Sequence, residues 1–473
     1  MLVSEYTEYD ALGLAELVAN GDISAEELVD CAEQQYHSKN PALNAVVTPM
    51  WDQAREALRD GLPAGLFRGV PMPLKDLGQY YQGVVTSNGS RLFADNIADH
   101  DSTLVQRYKA AGLVLSGKTN TPEFGLATTT EPVLHGPTRN PWSIDHSTGG
   151  SSGGAAAAVA AGIFPVAHAS DGGGSIRIPA SCCGLFGLKP TRGRVPLGPS
   201  AVEGWGGLST THVISRSVRD SAALLDISAG PEPGSPYHAP YSSVSFSSAL
   251  QLPPQPLRIG LCLESFNGAE VAKEVAALTQ QSADKLEALG HHIEPIQHPF
   301  TTDIVRDAHG ILAVSHIGAM LNSKQQSLGR ALTEHDIEHV TWNNFQSAQE
   351  LTGAQYASAI TSIHRHGQMC AALFAEYDLI LTPTMACLPP EIGALNMMSS
   401  DTDGYLQLLY QMIGFTALFN DTGNPAASLP LSISTSGLPV GCQLVADFGN
   451  EALLFSISQQ ISEAGYFTKR LPH

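Results

Sequence analysis

Apolar positions along this chain follow first a helical period, then a strand-like one. Ser24-Ala25-Glu26-Glu27 sets a serine three residues before a glutamate, a capping box that predicts a helix through about Tyr36. The run "NAVVT" predicts a strand, and "WDQAREALRD" a second helix closed by Gly61. From residue 69 to about residue 196 the texture changes. Short apolar runs, "GLVLSGKT" and "GIFPVAHAS", predict buried strands set between turns rich in glycine, serine and threonine. Between the two, residues 153–162 predict a helix made of very small side chains, able to lie close against a sheet.

Residues 231–256 hold seven prolines and many serines and predict a long surface connection. Beyond it "LRIGLCLES" predicts a strand. "GAEVAKEVAALTQQSADKLEALG" follows as an amphipathic helix with Val271, Val275, Leu278, Leu286 and Leu289 on one face, and "HHIEPIQHP" as another strand. That is a βαβ unit, which implies parallel strands. "YDLILTPT" predicts one more buried strand, and no internal repeat is visible.

Composition narrows the class. The 473 residues are 43% hydrophobic and 15% charged, the balance of a globular chain. The 25 Lys+Arg against 45 Asp+Glu give a net charge of −20, which argues against nucleic acid or an anionic membrane as partner. The start, "MLVSEYTEYDALGLAEL", lacks the basic end and apolar run of a signal peptide, and no apolar run reaches the ~18 residues of a membrane span. The seven cysteines have neither metal-type nor secreted-domain spacing, so they read as reduced, mostly buried thiols of a cytoplasmic protein.

Two pattern matches fail on context. "GLVLSGKT" fits the phosphate-loop pattern, but its interior Leu113-Val114-Leu115 is itself a strand and Pro122 follows soon after Thr119. It reads as a strand end with an exposed Lys118. Gly149-x-Ser151-x-Gly153 fits a hydrolase nucleophile elbow, but the polar "TRNPWSIDHST" stands where an apolar strand is needed.

Candidate chemistry lies in "SDGGGSIRIPA". Gly172, Gly173 and Gly174 let a backbone turn its N–H groups inward, a geometry suited to an oxyanion hole, and Ser175 follows directly as a candidate nucleophile. A serine needs a base. The loop with Ser151 and Ser152 lies 24 residues upstream of Ser175, one helix and one strand away, so the two loops can meet at one end of a sheet. A hydroxyl accepts one proton and donates another. Lys75, in "GVPMPLKDLG", is the only lysine between Lys39 and Lys109, and burial would lower its pKa enough to make it a proton acceptor.

With these residues in view, "GVPMPLKD", "NPWSIDHSTGGSSGGAAAAVAAG", "SDGGGSIRIPA" and "GLKPTRGRVP" resemble the amidase signature family. "STLVQRYKAAGLVLSGKTNTPEFG", "YDLILTPT" and "NDTGNPAASLPLSISTSGLPVGCQLVA" extend the likeness over nearly the whole chain. The resemblance implies an α/β fold, a large mixed, mostly parallel twisted sheet covered by helices on both faces. It implies one domain over 1–473. Within it, 1–64 is an N-terminal helical segment, 65–220 the signature core, 231–256 the connection, and 257–473 the part that completes the sheet and substrate pocket. It further implies a Ser–cis-Ser–Lys triad with Ser175 as nucleophile, Lys75 as base and Ser151 as bridge, across a cis Gly150–Ser151 peptide. The N–H groups of Gly172, Gly173, Gly174 and Ser175 would form the oxyanion hole. Asp171 and Arg177 would tether that loop, and Ser152 would hydrogen-bond near the lysine. Gly172 departs from the bulkier residue that many members carry.

The implied activity is hydrolysis of a carboxylic amide through an acyl-enzyme, on a linear, aryl or cyclic amide or a carbamate. No metal or cofactor is required, and a homodimer is allowed. The alternative is the glutaminase-like component of a tRNA-dependent amidotransferase. His291, His292 and His298 read as structural and not as a metal site. Substrate choice is expected from residues 125–135, 305–345 and 395–420. In the last, Met397, Met398, Tyr405, Tyr410, Met412 and Phe415 either line an apolar pocket or belong to the core.

Overall fold

The structure, a computed structural model, describes Met1 and residues 3–468. In chain order the strands are β1 (Val46–Pro49), β2 (Pro71–Lys75), β3 (Val114–Thr119), β4 (Arg139–Asn140), β5 (Ser143–Ser147), β6 (Val166–Asp171), β7 (Phe186–Lys189), β8 (Thr210–Ser215), β9 (Arg258–Leu261), β10 (His292–Pro295), β11 (Leu379–Pro383), β12 (Ala426–Ile433) and β13 (Pro439–Ala446). β1, β3 and β2 form a small sheet in that order, and β4 and β5 a short hairpin. The remaining strands make one eight-stranded sheet, ordered β10-β9-β11-β13-β12-β7-β8-β6.

The chain is α/β and the large sheet is mixed, but it is not mostly parallel. Only β10–β9 and β9–β11 run parallel, while the pairs from β11 through to β6 are antiparallel. Two features of the connections explain the correction. β12 and β13 are joined by a short turn, which forces them to run in opposite directions. β6 and β7 each pair with β8, which runs against both. The expected βαβ unit is present: β9, the helix Lys273–Ala288 and β10 form a parallel crossover.

Alternation along the strands feeds separate cores, so both faces of the sheet are covered. Val213, Leu379, Leu381, Ala427 and Leu444 join a cluster with Ala222 and Leu225 of the helix Val218–Ser228, Leu286 of Lys273–Ala288 and Leu454 of Glu451–Glu463. Ile214, Ala167 and Ala169 pack instead with Ala155, Ala156 and Val159 of the small-residue helix and with Ile178 of Arg177–Cys183. That small-residue helix, Gly153–Ala160, is buried at every position. A Cβ at Gly154 would strike Asn120 N and Ala45 O, so only glycine lets the helix seat this deeply.

At the N-terminal end, Ser24 and Glu27 form the expected capping box, but the helix Ala25–Leu43 continues past Tyr36 and carries Pro41 within it. It ends at Asn44, which takes the left-handed conformation and donates to Asn40 O. In the connection 231–256 a single turn, Phe246–Ala249, is pinned by Asp226, which accepts from Phe246 N at 2.7 Å.

Candidate active site

Lys75 ends β2, beside β6 of the large sheet, where its N–H donates to Nδ1 of His168 at 3.2 Å. Its side chain is fully buried. Nζ lies 2.7 Å from Ser151 Oγ and 3.0 Å from Ser170 Oγ, so its polar partners are hydroxyls. Burial pushes the amine down to about 7, against the opposing pull of Asp171. The Gly150–Ser151 peptide is cis. Gly125, at φ 71°, closes over Ser151: a Cβ there would lie 3.1 Å from Ser151 Oγ.

Ser152 does not reach the amine. Its hydroxyl donates to Ser170 O at 3.1 Å and accepts from Ser170 N at 3.3 Å, which fixes the residue whose own hydroxyl takes the second place on Nζ. Neither Ser170 nor His168 carries a functional signal in the sequence. Both stand on β6, where strand alternation alone does not separate a site residue from a core residue.

The loop after β6 carries Ser175, half-buried. Asp171 and Arg177 bracket it as a buried, two-pronged ion pair, with Nε to Oδ2 and Nη2 to Oδ1 both at 2.9 Å. Burial alone would raise the Asp171 carboxyl, but the Arg177 guanidinium, with Lys189 and Asn420, outweighs it and holds the group well below the usual carboxylate range. Asn420 Nδ2 donates to Asp171 Oδ1 at 2.9 Å, and Arg177 Nη1 reaches Gln443 Oε1 at 2.7 Å, so the loop is tied to distant parts of the chain.

Gly174 departs from expectation. Its N–H donates to Asp171 Oδ1 at 2.7 Å and is spent on holding the loop in shape. The N–H groups of Gly172, Gly173 and Ser175 have no hydrogen-bond partner among the described residues. A carboxylate that must anchor a tight loop takes the nearest inward donor, and the remaining ones stay open.

Two chambers meet at Ser175. The first, about 250 Å³, is lined by Ser151, Ser170, Gly172 and Ser175, with Glu203 and Trp205. The second, about 280 Å³, has Gly173, Ser175 and Trp205 in its wall, together with residues from 125–128, 305–314 and 406–417. Of the six candidate lining residues in the 395–420 segment, Tyr410 lines this chamber. Met397, Tyr405, Met412 and Phe415 are core, and Met398 is exposed. A larger cleft of about 700 Å³, near Asp10 and Arg219, contains none of the expected site residues.

Lys118 is a further correction. It is fully buried on β3, not exposed, with Nζ 2.6 Å from Gln79 O and 3.0 Å from Thr86 Oγ1. Its strand is the central one of its sheet, and the segment after β2 that carries Gln79 and Thr86 reaches its amine. The three histidines of the 291–298 segment have separate surroundings: His291 pairs with Gln460 at 2.9 Å, His298 with Ser265 O at 3.2 Å, and His292 is exposed.

Residues 27–455 match the amidase family. The chain is 39% identical over 477 residues to the 6-aminohexanoate-cyclic-dimer hydrolase of Paenarthrobacter ureafaciens, covering 98% of this chain and 96% of that one. A solved structure of 6-aminohexanoate cyclic dimer hydrolase superposes with a TM-score of 0.93 at 37% identity, covering 99% of each chain. A glutamyl-tRNA(Gln) amidotransferase component from Synechococcus sp. (strain CC9605) is more distant, 33% identical over 478 residues and 94% of each chain. Among the described residues no helix is long and apolar enough to cross a membrane. The chain belongs to the amidase family, hydrolases that act on amide C–N bonds.

Proposed function

We propose that this protein hydrolyses a carboxylic amide through an acyl-enzyme on Ser175, with Lys75 as base and Ser151 as the proton bridge. The observation that carries the reading is a buried amine with a lowered pKa, 2.7 Å from a cavity-lining hydroxyl. Neutral Lys75 takes the Ser151 proton as Ser151 takes that of Ser175. Ser175 Oγ bonds to the substrate carbonyl carbon, and the N–H groups of Gly172, Gly173 and Ser175 receive the oxyanion. Return of the proton through Ser151 to the amide nitrogen lets the C–N bond break and the amine leave. Water then gives its proton along the same path and opens the ester, releasing the acid and restoring Ser175.

Asp171 and Arg177 hold the oxyanion loop in shape, and Ser152 holds Ser170. The cycle uses no cofactor. The substrate class we favour is a cyclic or linear oligoamide, ahead of aryl amides and carbamates. The support is the likeness to a relative named for a cyclic amide dimer and a pair of chambers that share Ser175. Free cysteines, all buried except the half-buried Cys387, support a reducing, cytoplasmic setting for a single domain over 1–473.

Purified chain, without ATP, tRNA or a partner protein, is expected to hydrolyse 6-aminohexanoate cyclic dimer in a panel that also holds aliphatic amides, anilides and carbamates. Ser175→Ala should lose on the order of 10⁵-fold in kcat. Turnover that survives in Ser175→Ala, or that appears only with a partner protein, refutes the reading.

A further inference from the structure

The helix Thr302–Leu328 brings to the reacting loop a side chain that the cycle above does not use. His309 lines the second chamber together with Gly173 and Ser175. Its Nδ1 lies 2.8 Å from Oδ1 of Asp421, a carboxylate with no exposure. A carboxylate accepts, so Nδ1 carries the hydrogen and Nε2 is left to face the loop. A Cβ built on Gly173 would lie 3.0 Å from that Nε2.

Asp421 stands in the helix Ala417–Thr422, directly after Asn420, which binds Asp171 and Arg177. One turn of helix therefore fixes both the oxyanion loop and the imidazole. Asp421 Oδ2 has no hydrogen bond among the described residues, and His366 Nδ1 stands 3.8 Å from it. Holding His309 is the one hydrogen bond that the Asp421 carboxylate makes among the described residues.

Much of the chamber is aliphatic, with Leu126, Val305, Ala313, Leu406 and Leu409 in its wall. A hydrocarbon chain fits that wall but offers nothing to an imidazole nitrogen, which would then lose its water unpaired. A secondary amide is different. It presents an N–H to Nε2 when the imidazole is neutral and a C=O when it is protonated, so it bonds in either state.

We propose that His309, oriented by Asp421, is the specificity-determining residue of the second chamber, binding a second amide group of the substrate through Nε2 while Ser175 attacks the first. The inference rests on the amidase reading and deepens it: it makes oligoamides, not isolated amides, the preferred class.

The test compares wild type with His309→Phe, His309→Gln and Asp421→Asn on two substrates, 6-aminohexanoate cyclic dimer and the single amide N-butylhexanamide. His309→Phe should lower kcat/KM for the dimer about 10- to 100-fold, mainly through KM. The loss on the single amide should be about tenfold smaller than the loss on the dimer. Gln, which can both donate and accept, should restore part of the loss, and Asp421→Asn should show the same pattern more weakly. Equal losses on both substrates, or none on the dimer, overturn the proposal. A second readout needs no turnover: calorimetric Kd of the dimer for Ser175→Ala with and without His309→Phe. A weakening of about tenfold sustains the role of His309 even if the amidase reading fails, and an unchanged Kd sinks it.

Discussion

Two lysines on neighbouring strands, Lys75 of β2 and Lys118 of β3, are both fully buried, yet their surroundings differ in kind. Burial pushes Lys118 down to about 8 while Asp76 pulls it back up. Its Nζ bonds to Gln79 O, an acceptor with no proton to give, and to the buried Thr86. Lys75, at about 7, faces two hydroxyls, and both belong to a cavity wall that also contains Ser175. The carboxylate nearest to acting on Lys75, that of Asp171, is already paired with Arg177. Burial alone makes an amine available as a base. The chemistry of its partners decides whether that base is connected to a reacting atom.

The most severe way to test this contrast is Lys75→Met. Turnover should fall about 10²- to 10⁴-fold, the usual worth of a general base. Stability should move the other way with pH. The folded pKa of about 7 lies below the ordinary 10.5, so between those values the unfolded chain holds a proton that the folded one does not. This group therefore adds stability as pH rises from about 7 to 10.5 and removes it as pH falls. Urea midpoints measured at pH 7 and pH 9 should lose that upward slope in Lys75→Met. A variant as active as wild type would break the comparison outright.

Ser151→Ala is the next step down. Ser170 Oγ still holds Nζ at 3.0 Å, so the amine keeps its place while the route toward Ser175 is cut. A loss of about 10²-fold in kcat with little change in KM is expected from steady-state assays. A loss of less than threefold would mean that protons reach Lys75 by another path, with Ser170 the first candidate.

How much of this is legible in the sequence depends on how far apart the partners stand in the chain. Lys75, Ser151 and Ser175 can each be found from local texture, because a lysine within an apolar run and glycine-rich turns beside serines are unusual combinations. The direction of most strand pairs cannot, since the chain shows one crossover clearly and does not show that β8 slots between β6 and β7. Lys118 misleads because a lysine at a strand end is ordinarily solvated, and nothing local reveals that Gln79 and Thr86 close on its amine. Gly174 belongs to the oxyanion hole by its place in a glycine run, whereas in the fold the nearby Asp171 side chain claims its N–H. Ser170 looks like any strand residue. His309, Asp421 and Asn420 lie more than a hundred residues from Ser175, on helices whose docking only the folded chain reveals.

The smallest effect on activity belongs to Lys118→Met, and its two halves decide what that lysine is for. Removing Nζ leaves Gln79 O and Thr86 Oγ1 short of a buried partner, at a cost of about 1–3 kcal/mol in stability by urea unfolding. Asp76 also loses the positive charge that opposes its burial, which already holds its carboxyl up at about 6. Activity, by contrast, should stay within about threefold, because no hydroxyl links Lys118 to Ser175. The pH profile is the finer discriminator. In wild type, kcat/KM should rise about tenfold per pH unit below an inflection near 7, as Lys75 gives up its proton, and then level off. The influences on Lys75 are burial and Asp171, so Lys118→Met should leave that inflection where it is. An inflection that moves by a full unit would show that the two amines titrate as one system, and the division between base and structural cation would have to be abandoned.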